Sequence, residues 1–190
     1  GRALFKYARK LDNQFKVENP FAELGIKKPK PRRQVWSHEQ EKTLLEGALE
    51  QGRQDIYDAS IIGLYSTQRP QDIRAASVNA YDGKWWRITQ KKTGAVVDIP
   101  VYRLPKLKAV LDRLVKSPDS PVMLICKENN KPFTKETLSK GFREVCNKAG
   151  IDKEMQFRDF RRTGVVRLGE AGCTDIEISA WSGHTIDSVS

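Results

Sequence analysis

Apolar positions along the chain follow helical spacing for most of its length and alternate in one short region. Residues 1–16 place Leu4, Ala8, Leu11 and Phe15 on one helical face, with Arg2, Lys6, Arg9, Lys10 and Lys16 largely elsewhere. Ser37 followed by Gln40 is a capping box that leads into Leu44, Leu45, Ala48 and Leu49. A further helix is expected over about Asp55 to Tyr65. Pro105 opens a helix carrying Leu107, Val110, Leu111, Leu114 and Val115. Thr134 caps another, with Leu138, Phe142, Val145, Cys146 and Ala149, closed by Gly150. Asp159 is expected to cap a helix running to about Ala171 and stopped by Gly172. Thr174 with Glu177 boxes a last short helix ended by Gly183.

The exception to helical spacing is a pair of β-rich runs, Trp85–Gln90 and Val96–Val101, joined by Lys91-Lys92-Thr93-Gly94-Ala95. Glycine in so short a connection predicts a hairpin with Lys92 at or near its tip. Pro121 to Cys126 fits either a short strand or a buried loop. The expected class is α+β, a mostly helical domain with a small antiparallel hairpin sheet at one edge.

Asn19-Pro20 reads as a cap followed by a first-turn proline. Gly25 then begins a stretch with two prolines and five cations, Lys27, Lys28, Lys30, Arg32 and Arg33. Such a composition makes an extended linker outside any core, either merely solvated or in contact with phosphates. The expected division is therefore 1–24, a linker over 25–33, and a larger domain over 34–190. Gly1 stands in mid-helix pattern without a Met, as expected for a piece of a longer protein.

With 190 residues and 38% hydrophobic content the chain can bury a real core. Its 34 Lys and Arg against 24 Asp and Glu give a net charge of +10, which favours a polyanionic partner, nucleic acid first. Cys126, Cys146 and Cys173 are odd in number and unpaired in spacing, as for small core residues of a reducing compartment. No run approaches the roughly 18 apolar residues of a membrane helix, and the N-terminal segment lacks an apolar signal core. A cytoplasmic protein without a membrane partner is expected.

The chemistry gathers in Phe157-Arg158-Asp159-Phe160-Arg161-Arg162-Thr163 and, some twenty residues on, Trp181-Ser182-Gly183-His184. Arg69 precedes a proline, which biases it away from helical backbone and places it at a junction between helices. Together with Lys92, these residues supply cations and one imidazole but no obvious nucleophile. Guanidinium forks suit phosphate oxygens, and a helix N-terminus beneath Arg158 and Arg161 adds its own amide donors. No Gly-rich nucleotide loop and no carboxylate cluster with metal-ligand spacing accompanies them, so neither cofactor nor metal is expected.

Four segments in order carry a family resemblance. Ser66-Thr67-Gln68-Arg69-Pro70-Gln71-Asp72-Ile73 resembles the first arginine motif of the tyrosine recombinases, the phage integrase family. Gln90-Lys91-Lys92-Thr93-Gly94 is similar to their hairpin lysine motif, and Arg158-Asp159-Phe160-Arg161 to their second box, usually His-x-x-Arg. Ser182-Gly183-His184-Thr185 resembles the Gly-His element that follows. Asn19-Pro20-Phe21 before the basic linker resembles the end of the family's core-binding domain, with the catalytic domain after it.

The resemblance implies site-specific recombination of double-stranded DNA by a tyrosine hydroxyl, through a 3′-phosphotyrosyl link, on paired sites bound by a homotetramer. It assigns Arg69 and Arg161 to the nonbridging oxygens, Lys92 to protonating the leaving 5′-oxygen with Lys91 as competitor, and His184 to a phosphate oxygen. Arg158 stands where the family usually has His, and a guanidinium cannot act as a base near neutral pH, which leaves it a positional or electrostatic part. Thr67 replaces a common Gly, and Asp72 the usual Glu. The family's tyrosine falls shortly beyond the position of His184, so it is expected after Ser190; Tyr7, Tyr57, Tyr65, Tyr81 and Tyr102 all lie upstream of the second box. A non-catalytic DNA-binding module and a type IB topoisomerase-like strand transferase are the alternatives. Such a protein, bacterial or phage-encoded, would be cytoplasmic and nucleoid-associated when bound.

Overall fold

A computed structural model describes residues 2–11, 32–116, 121–127 and 129–184. The chain divides into two units, residues 1–32 and 33–190. In the first, α1 (Arg2–Leu11) is the described element, and Leu4, Tyr7 and Leu11 are exposed on it. Phe15, the Asn19-Pro20 cap and the linker cations Lys27, Lys28 and Lys30 lie outside the described residues.

Near the start of the second unit the buried indole of Trp36 fixes the chain entry. Its amide donates to Thr163 Oγ1 at 2.9 Å, and its carbonyl accepts from Arg167 Nη2 at 3.1 Å. α2 (His38–Glu50) follows, with the Ser37–Gln40 capping box formed in both directions. Leu44 and Ala48 face the core, whereas Leu49, expected in the same stripe, is exposed. α3 (Gln54–Ser66) is buried on nearly all sides, from Ile56 through Ala59, Ile61 and Ile62 to Leu64, and packs against neighbours on several faces. A helix of this makeup belongs at the centre of a domain.

α4 (Pro70–Arg74) and a 3-10 turn (Val78–Ala80) lead to β1 (Trp85–Thr89), which pairs antiparallel with β2 (Val96–Pro100). Trp86 and Ile88 oppose Ile99 and Val97 on the buried face, while Trp85, Arg87 and Thr89 face outward. That is the period-two pattern of a sheet with one face packed. α5 (Pro105–Val115) buries Leu107, Val110 and Leu111 but leaves Val115 exposed. The Pro121–Cys126 stretch resolves into a bridge from Val122 to Ser77 and a two-residue strand β3 (Ile125–Cys126) paired with β4 (Lys131–Pro132). α6 (Lys135–Lys148) starts at the Thr134 cap and is followed by Gly150 in left-handed backbone, φ +70°.

α7 (Asp159–Glu170) corrects one expectation. Asp159 is its first residue, not its cap: Arg158 already has helical backbone (φ −63°, ψ −20°), and the Asp159 carboxylate accepts the Gln156 amide at 2.9 Å. The turn before the helix has taken the cap's place. α8 (Asp175–Ser182) has its Thr174–Glu177 box and ends at Gly183 in left-handed backbone.

Trp36, Phe142, Phe157 and Phe160 form one aromatic cluster, with centroids 4.9–5.9 Å apart and mostly edge-to-face. Each such ring contributes about 2–3 kcal/mol by burial. Two glycines let α3 and α7 approach beside it. A Cβ on Gly63 would stand 3.0 Å from the Phe160 ring, and one on Gly164 would meet the Leu64 carbonyl at 2.7 Å. This close crossing sets the first turn of α7 against the last residues of α3, where the basic motifs meet.

Candidate active site

α3 ends because Thr67 turns into left-handed backbone, φ +56°, and Pro70 cannot continue a helix from upstream. Between them Arg69 is extended (φ −68°, ψ 146°), as its position before proline dictates. Its half-buried guanidinium donates through Nη1 to Gln90 Oε1 at 2.5 Å.

Arg161 sits in the first turn of α7 and is 9% exposed. Nη1 donates to the Thr67 carbonyl at 2.9 Å; the buried Nη2 has no hydrogen-bond partner among the described residues. Burial first, and then the positive charge of Arg69, push its pKa down to about 10, with Asp72 opposing. The group stays cationic at neutral pH. Two guanidiniums that repel each other, one with an unmet buried donor, form a site complementary to an anion.

His184 follows Gly183, whose positive φ of 67° reverses the chain at the end of α8. Ser182 Oγ donates to the Ile178 carbonyl at 2.6 Å and lies 2.9 Å from His184 Nδ1. The hydroxyl has one proton, already committed, so Nδ1 must be the donor in the second bond and carries the imidazole proton. Nε2 is then a lone pair. Burial, Arg161 and Arg69, in that order, push the His184 pKa down to about 4, so the ring is neutral at pH 7. Arg69, Arg161 and His184, spread over more than a hundred residues of sequence, thus share one electrostatic neighbourhood.

Lys91 and Lys92 are both exposed in the hairpin turn. The turn's root is held from below, because the Lys91 amide donates to Asp72 Oδ1 at 3.0 Å and Gln90 is fully buried. Asp72 thereby links α4 to the hairpin and supplies a negative charge that acts on Arg161.

Arg158 is exposed rather than part of the buried cluster. It lines a groove of about 450 Å³ with Pro70, Arg74, Lys135, Arg143 and Lys153, over an apolar floor that includes Leu138 and Phe142. These groove cations escaped sequence reading because lysines and arginines on helix surfaces look alike until the fold groups them. Gln68, Gln90 and Ser182 escaped it too, since uncharged side chains advertise no chemistry. Their signal was position, each adjoining a basic motif. Of the linker cations, Arg32 and Arg33 are described; Arg33 is exposed, its amide donating to the Gln34 side chain at 3.1 Å.

The fold is shared with solved structures. A lambda integrase dimer bound to a COC′ core site superposes with a TM-score of 0.79 at 19% identity, covering 100% of this chain and 71% of that one. A lambda integrase tetramer bound to a Holliday junction gives 0.76 at 18%, covering 96% and 55%. The Tn1549 transposon integrase in complex with transposon right end DNA gives 0.76 at 18%, covering 98% and 70%. This chain thus spans between about half and three quarters of those chains. No curated protein matches it. The model of the phage integrase family matches residues 34–189, the stretch that carries the arginine motifs, the hairpin and the Gly-His turn, and the chain belongs to that family.

Proposed function

We propose that this chain is the catalytic part of a site-specific DNA recombinase that cuts and rejoins strands by transesterification. The carrying observation is the buried Nη2 of Arg161, unpartnered among the described residues, in the electrostatic neighbourhood of Arg69 and the neutral imidazole of His184. Fixed, partly desolvated donors gain most where charge grows, which in phosphoryl transfer is on the nonbridging oxygens.

In this reading a tyrosine oxygen attacks the scissile phosphorus and gives up its proton, and the P–O5′ bond breaks. The leaving oxygen takes a proton to become a 5′-hydroxyl, and the phosphate remains as a 3′-phosphotyrosyl ester. Attack by a 5′-hydroxyl of the partner strand reverses the step, so the phosphodiester energy is retained. Arg69 and Arg161 hold the nonbridging oxygens. Lys92, or its neighbour Lys91, protonates the leaving group from the turn, as an ammonium can and a guanidinium cannot. The bound phosphate's charge draws a proton onto His184 Nε2, which then donates to a phosphate oxygen.

The tyrosine is proposed to come from sequence after Ser190. Tyr81 is hydrogen-bonded to the Gly83 carbonyl and Asp112, with burial and then the Asp112 carboxylate holding its proton more tightly than usual, and Tyr102 packs on Trp85. Arg158 and the groove cations, with Lys27, Lys28, Lys30, Arg32 and Arg33, contact the DNA backbone. The proposed assembly is a homotetramer on paired duplex sites, in the cytoplasm of a bacterial or phage-infected cell and at the nucleoid when bound. No helix among the described residues is long and apolar enough to cross a membrane.

The test is to mix the full-length protein with a nicked recombination site and look for a covalent protein–DNA adduct. Adduct with the wild type and its loss in Arg161→Ala supports the reading. Equal trapping by both overturns the site assignment, and equal action on random duplex favours a topoisomerase-like activity.

A further inference from the structure

We propose that Gln90 is a positioning residue of this site, whose carboxamide sets the direction of the Arg69 guanidinium and joins it to the His184 turn. The inference rests on the recombinase reading above. Gln90 is fully buried, and all of its hydrogen-bonding capacity is engaged. Oε1 accepts from Arg69 Nη1 at 2.5 Å and from Thr93 Oγ1 at 3.0 Å. Nε2 donates to Gln68 Oε1 at 2.6 Å and to the Ser182 carbonyl at 2.8 Å.

One carboxamide thus touches the three segments that carry the chemistry: the Arg69 junction, the lysine hairpin and the turn before His184. Its partner Gln68 extends the connection, donating through Nε2 to the Trp181 carbonyl at 2.9 Å and the Ser66 carbonyl at 3.1 Å. A carboxamide alone fits all four contacts. Glutamate would set an acceptor against the Gln68 oxygen and the Ser182 carbonyl, and methionine would remove all four bonds. Gly183 is shaped to it as well, since a Cβ there would fall 2.4 Å from Gln90 Nε2. Holding Nη1 from one side fixes the plane of the Arg69 fork and leaves its other donors to an incoming anion. Orientation of this kind governs phosphate catalysis, because misdirected donors lose most of their effect on the transition state.

The experiment compares adduct formation on two substrates, one with an ordinary scissile phosphodiester and one with a charge-neutral methylphosphonate at that position. Without the nonbridging charge, an oriented guanidinium matters less. Gln90→Met is expected to react about a hundredfold more slowly on the phosphodiester, the scale of one lost transition-state donor, but within about tenfold of wild type on the methylphosphonate. Gln90→Asn, tested alongside in case the methionine variant folds poorly, is expected to shift the ratio of the two rates in the same direction. A purely structural role lowers both rates alike, so an unchanged ratio in the folded variants overturns the proposal. If the wild type forms no adduct on either substrate, the recombinase reading itself falls and this inference with it.

Discussion

Arg161 donates through Nη1 to the main-chain carbonyl of Thr67, 94 residues earlier, at 2.9 Å. The bond ties the first turn of α7 to the end of α3 and leaves Nη2 unpaired among the described residues, in the electrostatic neighbourhood of Arg69 and His184. A planar group with several fixed donors can do both things at once. Lysine cannot, because its ammonium is a single point on a flexible stem. Arg161→Lys is expected to fold and to form the covalent adduct about a hundredfold more slowly, as measured by single-turnover cleavage. A rate near that of wild type would show that charge alone suffices.

Thr67 supplies that carbonyl from left-handed backbone, with its buried hydroxyl unpartnered among the described residues. A β-branched residue there costs about 1–2 kcal/mol, against about 0.5–1 kcal/mol for the extra freedom of glycine in the unfolded chain. Thr67→Gly is expected to raise stability by about 1 kcal/mol, read from thermal or denaturant unfolding. A loss of stability would mean that packing of the threonine methyl outweighs the strain. The Gly common in the resembling motif at this place fits the backbone angle.

His184 gives a pH dependence with a definite sign. Its pKa is lowered to about 4 in the folded protein, so between that value and the ordinary 6.5 the unfolded chain binds more protons. Stability is full above about pH 6.5 and falls as pH drops towards 4, by an amount on the order of 1–2 kcal/mol after allowance for partial exposure. His184→Gln is expected to flatten this part of the stability–pH curve. Nitrogen NMR should show the Nδ1–H form in the free protein and a raised pKa when DNA is bound. An Nε2–H form would contradict donation from Nδ1 to the Ser182 hydroxyl.

Gly183→Ala is expected to destabilise the protein by about 2 kcal/mol, because the backbone is left-handed and the new methyl meets the Gln90 carboxamide. Adduct formation should fall further than the unfolded fraction accounts for, since the clash is transmitted to Arg69. Thermal melts and cleavage rates on the same samples separate the two effects.

DNA affinity should fall steeply with salt if the groove beside Arg158 lies against phosphates. Lys135→Ala and Lys153→Ala are each expected to lower the slope of log affinity against log salt by about 1, equally on any sequence. An unchanged slope would place the DNA elsewhere.

Much of the fold was legible in the sequence because its signals are local. The Ser37, Thr134 and Thr174 caps, the Gly150 and Gly183 stops and the alternating hairpin each depend on residues within one or two turns. Asp159 misled because the preceding turn, which caps α7 in its stead, is stabilised by the Gln156 and Phe157 carbonyls accepting the Asp159 and Phe160 amides and by the Gln156 amide donating to the Asp159 carboxylate, which no cap motif announces. Leu49 and Val115 misled because periodicity marks a face and not where the neighbouring element ends.

By itself the sequence determined the elements, their order and the identity of the charged groups, since propensity, capping and charge are properties of short segments. The tertiary structure decided which of those groups meet. It drew Arg69, Arg161 and His184 together, left Arg158 and Lys92 exposed, and made Gln90 the junction among them. Burial, the tautomer of an imidazole and the direction of a guanidinium depend on atoms brought close by packing α3 against α7 and the hairpin against α8, and no stretch of sequence contains those distances.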